Sequence, residues 1–146
     1  MVQMRDDTTT KPVPVPGDLD SPYWEAAREG RLMVQRCTSC RRYSHPPTMI
    51  CPRCGSEDMA WVAVSGRGTV HSFTIARQST TRGFQDELPY VVVLIGLEED
   101  PDALVLTNLV GDVDLDKLDI GDPVTVTFEA RGEMVVPQFQ LAGGHV

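Results

Sequence analysis

The sequence predicts a mainly β chain: a short N-terminal helix and a cysteine-knuckle ribbon, followed by a closed five-stranded barrel. Three observations predict it. All four cysteines lie between Cys37 and Cys54, in two C-x2-C pairs separated by ten residues. From Met59 onward the hydrophobic pattern takes a period of two and is rich in β-branched and aromatic residues. Five such runs follow one another with short turn signals between them, a pattern suited to a small closed barrel.

Taken in order, residues 1–19 read as a flexible arm that dangles or lies on a partner. The arm is Thr-rich and then "KPVPVPG", whose prolines favour polyproline II and offer no periodic core face. Residues 20–64 read as helix plus ribbon. In "DSPYWEAAREGRL", Ser21 is the expected cap, Pro22 fits the first turn and Gly30 ends the helix early. "LMVQRC" then reads as a strand leading into the first knuckle.

Residues 65–146 read as the barrel. Gly66 and Gly68 mark a bend at its start, and strands are expected from "TVHSFTIAR", "YVVVLIGLE", "ALVLTNLV", "PVTVTFEA" and "MVVPQFQLA". Between the third and fourth strands lies "GDVDLDKLDIGD". Its Val113, Leu115, Leu118 and Ile120 are expected to plug one end of the barrel, which makes the architecture OB-like.

Composition bounds the function. The chain has 146 residues and a net charge of −8, with no apolar run of the roughly 18 residues that a membrane span needs. The N-terminus lacks the apolar core of a secretory signal, so a soluble, cytoplasmic protein is expected. In a reducing compartment four clustered cysteines point to metal ligands rather than disulfides. Charge is unevenly spread: residues 21–64 carry six basic and four acidic side chains, residues 65–146 five and thirteen. A barrel so acidic repels a nucleic acid backbone.

Two residues between paired cysteines let both thiolates on one tight turn face one ion, and two such turns complete a tetrahedral site. Cys37, Cys40, Cys51 and Cys54 are therefore the expected ligands, with Gly55 easing the second turn and Arg41 standing where a glycine often follows the first. The spacing also suits iron, but nothing else in the chain points to electron transfer, and structural zinc is the expected metal. Four thiolates leave no open position for water or substrate, so the metal is not expected to catalyse.

His45 and His71 stand in no recognisable nucleophile motif, and His45 reads as a loop or packing residue. The five aspartates from Asp112 to Asp122 lack the ligand pattern of a calcium loop and read as a solvated face. The arginines near the knuckles serve either as solubilising surface or as partners for phosphate or carboxylate. Trp61 reads as core, and Trp24 as the better candidate to face a partner.

The segments "PYWEAAREGRLMVQRCTSCRRYSHPP", "ICPRCGS", "SGRGTVHSFTI", "LPYVVVLIGLEE" and "IGDPVTVTFE", in that order, resemble the acyl-CoA-associated proteins that join a rubredoxin-like zinc ribbon to an OB-fold. The resemblance runs from about Ser21 to near the C-terminus. One departure is "EEDPDALVLTNL", where relatives place a glycine turn, and a longer turn is expected there.

The resemblance implies an accessory subunit of a thiolase-superfamily enzyme (thiolase, acyltransferase or steroid side-chain retro-aldolase). Such a subunit supports the catalytic chain in a hetero-oligomer and helps bind or channel acyl-CoA. The candidates for contact with acyl-CoA or the partner are Tyr23, Trp24, Arg41, Arg42, His45, Arg67 and His71. The competing reading is an OB-fold module for single-stranded nucleic acid, which the acidic barrel disfavours.

Overall fold

The computed structural model describes residues 10–143; the first nine residues of the expected arm lie outside them. Among the described residues one α-helix and eight strands follow in order, with a short 3-10 turn (Gln85–Glu87) before the fifth strand: α1 (Ser21–Arg28), β1 (Met33–Cys37), β2 (Tyr43–Ser44), β3 (Met59–Ala63), β4 (Arg67–Ala76), β5 (Tyr90–Leu97), β6 (Leu104–Val110), β7 (Pro123–Arg131) and β8 (Met134–Leu141). The first three strands form an antiparallel sheet in the order β2-β1-β3, and the other five close a barrel in the order β4-β5-β6-β8-β7. This is the mainly β ribbon-and-barrel architecture that the sequence predicts. Among the described residues, no helix is long and apolar enough to cross a membrane.

Helix α1 ends as its sequence dictates. Gly30 adopts a φ of 74°, the Gly30 N–H bonds the carbonyl of Ala27, and the Arg31 N–H reaches back to that of Ala26. That is the left-handed glycine stop in which two otherwise orphaned carbonyls find donors. Its start differs from expectation. Asp20, not Ser21, is the capping residue, and its carboxylate makes no capping bond to the helix backbone but accepts from the Gly17 N–H (2.6 Å) and the Trp24 indole (3.3 Å).

Strand alternation builds the barrel core. Val91, Val93 and Ile95 of β5 face inward against Val70, Val105, Val124 and Phe139, and the cluster continues into Tyr23, Leu32 and Val34 of the helix and ribbon. Burying these β-branched side chains on a pleated surface is the main favourable term. In β4 the ladder slips between Val70 and Ser72, leaving His71 as the extra residue of a bulge. Gly68 is needed just before it, because a Cβ there would run into the carbonyl of Gly96 on β5.

The segment between β6 and β7 closes one end, as expected. Leu118 is buried, Val113 and Leu115 pack on the core, and Val70 exchanges backbone bonds with Asp122 (3.0 Å) and Gly121 (2.8 Å). Ile120 departs from the expectation: it is 64% exposed.

Lys11 also departs from the picture of an arm that dangles or covers a partner. Its ammonium is buried between Glu87 (2.6 Å) and Glu129 (2.8 Å) and lies 4.9 Å over the ring of Phe84. Arg131 approaches the same ring, and Arg82 donates to the carbonyl of Thr10. This end of the arm is thus strapped to the barrel by charge and cation–π contact.

Candidate functional site

The two knuckles are built alike. In the first, the Arg41 N–H bonds the Cys37 carbonyl (2.8 Å) and the Cys37 N–H bonds the Arg42 carbonyl (3.0 Å). In the second, Gly55 and Ser56 make the equivalent pair of bonds with Cys51, at 2.9 and 2.8 Å. Gly55 takes a φ of 78°, and Arg41 takes 69° in the matching place, where a side chain costs about 1–2 kcal/mol. Thr38 bonds the Asp58 carbonyl, and the hydroxyls of Ser39 and Ser56 meet at 3.0 Å, so the knuckles are also tied to one another.

This frame brings the four thiol sulfurs within 4.8 Å of one another. Cys37 Sγ lies 3.6 Å from Cys54 Sγ, and Cys40 Sγ 3.7 Å from Cys51 Sγ. A tetrahedron of metal–sulfur bonds of about 2.3 Å has edges of about 3.8 Å, so the cluster fits a single ion. The electrostatics agree. The Cys40 backbone N–H at the Cys37 sulfur, and those of Cys54 and Arg53 at the Cys51 sulfur, pull both thiols below their usual range. Cys54, although it has the Ser56 N–H, is pushed upward by the neighbouring sulfurs, a repulsion that a divalent cation relieves.

Arg42 leads from this cluster to the barrel. Its guanidinium donates to Asp100 twice (2.8 and 3.0 Å) and to Asp102 once (3.0 Å). Asp100 is only 4% exposed and also accepts from the Tyr43 N–H (3.2 Å) and the Asp102 N–H (3.1 Å). Charged hydrogen bonds from Arg42, aided by those two backbone donors, hold its carboxyl down at about 2. Arg53 of the second knuckle reaches Asp102 at 3.6 Å. Asp100 and Asp102 lie in the β5–β6 turn.

The other candidates fall into separate places. Arg41 is exposed beside the cluster. Arg67 is paired in bidentate fashion with Glu98, at 3.1 and 2.9 Å. Tyr23, Trp24 and His45 form an aromatic group: Tyr23 meets Trp24 edge-on with centroids 4.9 Å apart and faces His45 at 5.1 Å. Burial pushes the His45 imidazole down to about 4 and drives the Tyr23 hydroxyl upward, so both stay neutral. Trp24 and Trp61 are half-buried and pack against the core. His71 is exposed on its bulge, away from the aromatic group in sequence and sheet.

A cavity of about 390 Å³ opens where the starts of β4 and β7 meet the end of β5. Gly68, Gly96, Leu97, Pro101, Val124 and Ala142 contribute to its wall, with Arg67 and Glu98 beside them. Sequence reasoning missed Asp100, Asp102 and Lys11. Only the expectation of an unusual turn at "EEDPDALVLTNL" hinted at the first two.

Comparison with known proteins places these parts. Residues 24–60 match the family described as the ChsH2 rubredoxin-like zinc ribbon domain, and residues 61–129 the ChsH2 C-terminal OB-fold domain. A probable enoyl-CoA hydratase alpha subunit of Thermomonospora curvata is 42% identical over 125 residues, 84% of this chain. The chain spans only 38% of the length of that relative. A DUF35 domain-containing scaffold protein of Methanothermobacter thermautotrophicus is 33% identical over 98 residues, which cover 66% of this chain and 71% of the relative. Among solved structures, a chain of an Ltp2-ChsH2(DUF35) aldolase superimposes with a TM-score of 0.77 at 39% identity, covering 89% of this chain and 99% of that one.

Proposed function

This chain belongs to the ChsH2 family, in which a rubredoxin-like zinc ribbon is joined to an OB-fold, and from that premise we propose that it is a non-catalytic accessory subunit of a thiolase-superfamily enzyme acting on acyl-CoA. The observation that carries the reading is the likeness to the aldolase chain, which this protein matches over nearly the whole of that chain's length. The hydratase alpha subunit and the scaffold protein point the same way, toward a chain that works beside a catalytic one.

The chemistry of the chain supports an accessory role. His45 is half-buried and neutral against Tyr23, and His71 is exposed on a bulge. The four thiols fit zinc in size and donor type, with Cys37, Cys40, Cys51 and Cys54 as its ligands. Bound zinc supplies structure here, because four thiolates fill its coordination and leave no place for substrate.

Arg42 and Arg67 are committed to carboxylates of the same chain, so the exposed Arg41 is the better arginine for an anionic ligand such as the phosphates of CoA. The half-buried Trp24 is the aromatic we assign to the partner's surface. We place the assembly in the cytoplasm as a hetero-oligomer.

Co-expression with thiolase-superfamily proteins of the same organism tests the proposal. A stable complex by size-exclusion chromatography with light scattering is the expected result. A chain that stays monomeric beside every such protein, with its metal bound, overturns it.

A further inference from the structure

Asp102 is held by one guanidinium from each knuckle. Arg42 follows Cys40 by two residues, and Arg53 lies between Cys51 and Cys54. Both reach the aspartate together only while the knuckles are side by side. Asp100, deeper in the same turn, takes two bonds from Arg42 and one from the Tyr43 backbone. Three of its four donors therefore come from the ribbon. A carboxylate this buried is stable only with its donors in place, and without them it must regain water.

Regaining water means opening the turn of residues 98–103, and that turn lies directly on the barrel. A Cβ on Gly96 would approach the Pro101 carbonyl at 2.9 Å, and Glu98 and Pro101 both line the cavity of about 390 Å³. The barrel side fastens the two ends of the turn, through the Arg67–Glu98 pair, the Glu98 N–H to the Arg67 carbonyl (3.0 Å), the Ser65 N–H to Glu99 (2.6 Å) and the Leu97 N–H to the Ala103 carbonyl (3.2 Å), while the carboxylates of Asp100 and Asp102 in its middle take their guanidinium partners from the ribbon.

We infer that the metal-bearing knuckles clamp the β5–β6 turn through Arg42, Arg53, Asp100 and Asp102, so that metal occupancy sets the shape of the barrel cavity. The ribbon then acts on the barrel at a distance from its own ion. The coupling element is the turn, whose two arrangements are closed on the arginines or open to water.

Hydrogen exchange of the full chain, read by mass spectrometry with and without a zinc chelator, tests this. Chelation should speed exchange of the amides of residues 98–103 by about tenfold or more, as a local opening does, while β8 keeps its protection. Arg42→Met with its metal still bound should loosen the same amides. Should that variant fail to fold, Arg53→Met combined with Asp102→Asn should loosen them by a smaller factor. The inference is overturned if chelation loosens residues 37–55 alone. It is equally overturned if exchange rises uniformly through β8, because the turn would then be following global unfolding, or if the metal-bound variants exchange like the parent chain.

Discussion

At the centre of the ribbon stand four thiols. At the centre of the barrel stand Val70, Val93, Ile95, Val105, Val124 and Phe139, each no more than 1% exposed. One region places its stability in a single point of coordination, and the other spreads it over many interchangeable contacts. The two therefore fail differently: the ribbon should be lost as a whole, the barrel by degrees.

The widest test of that contrast is Cys54→Ser. Structural zinc contributes an apparent binding free energy on the order of 10 kcal/mol, so losing one thiolate should release the metal and unfold residues 33–63. Metal analysis and a two-dimensional amide spectrum should show an empty ribbon beside a dispersed barrel, and a variant that keeps its metal would erase the contrast. Next in size is Phe139→Ala, which opens a void in the fully buried core and should cost about 3–5 kcal/mol in urea unfolding, with metal content unchanged.

The third test lies on the boundary between the regions. Burial lowers the His45 imidazole from 6.5 to about 4 in the folded chain. Between those values the unfolded chain takes up a proton that the folded chain refuses, so falling pH favours unfolding by up to about 1.4 kcal/mol per pH unit. Urea midpoints measured from pH 7 to 4.5 should fall less steeply for His45→Gln than for the parent, and parallel profiles would rule the effect out. The smallest change is Lys11→Met. It removes a buried ammonium from Glu87 and Glu129 while Arg131 and Gln138 still hold Glu129, so the barrel should lose about 1 kcal/mol and the ribbon nothing.

Legibility in the sequence follows the same division. The knuckles are local, each closed within six residues, so spacing alone located Cys37, Cys40, Cys51 and Cys54 and even singled out Arg41 as the residue in glycine's place. The strands were legible because burial on one face leaves a period of two, clearest in β5. Ion pairs leave no period. Arg42 and Asp100 are 58 residues apart, Lys11 and Glu129 118, and nothing at either end marks the partner. The cap on α1 was misplaced by one residue because Asp20 and Ser21 are both good cap formers, and Asp20 has another use for its carboxylate. Ile120 was read as plug because its apolar character fitted the run, but the turn at Gly121 leaves it outside.

The strap at Lys11 changes how the chain's parts are counted. The polypeptide is fastened to the barrel at Lys11, runs through α1, which packs on β8, and through the ribbon, and enters the barrel strands at Arg67. In that sense the metal module is a cassette inserted into the barrel's contour, with anchor points on both flanks. A graft that exchanges ribbons between family members should therefore carry its junctions after Lys11 and before Arg67, since a junction placed before Lys11 would take one of the barrel's own fastenings away with the ribbon.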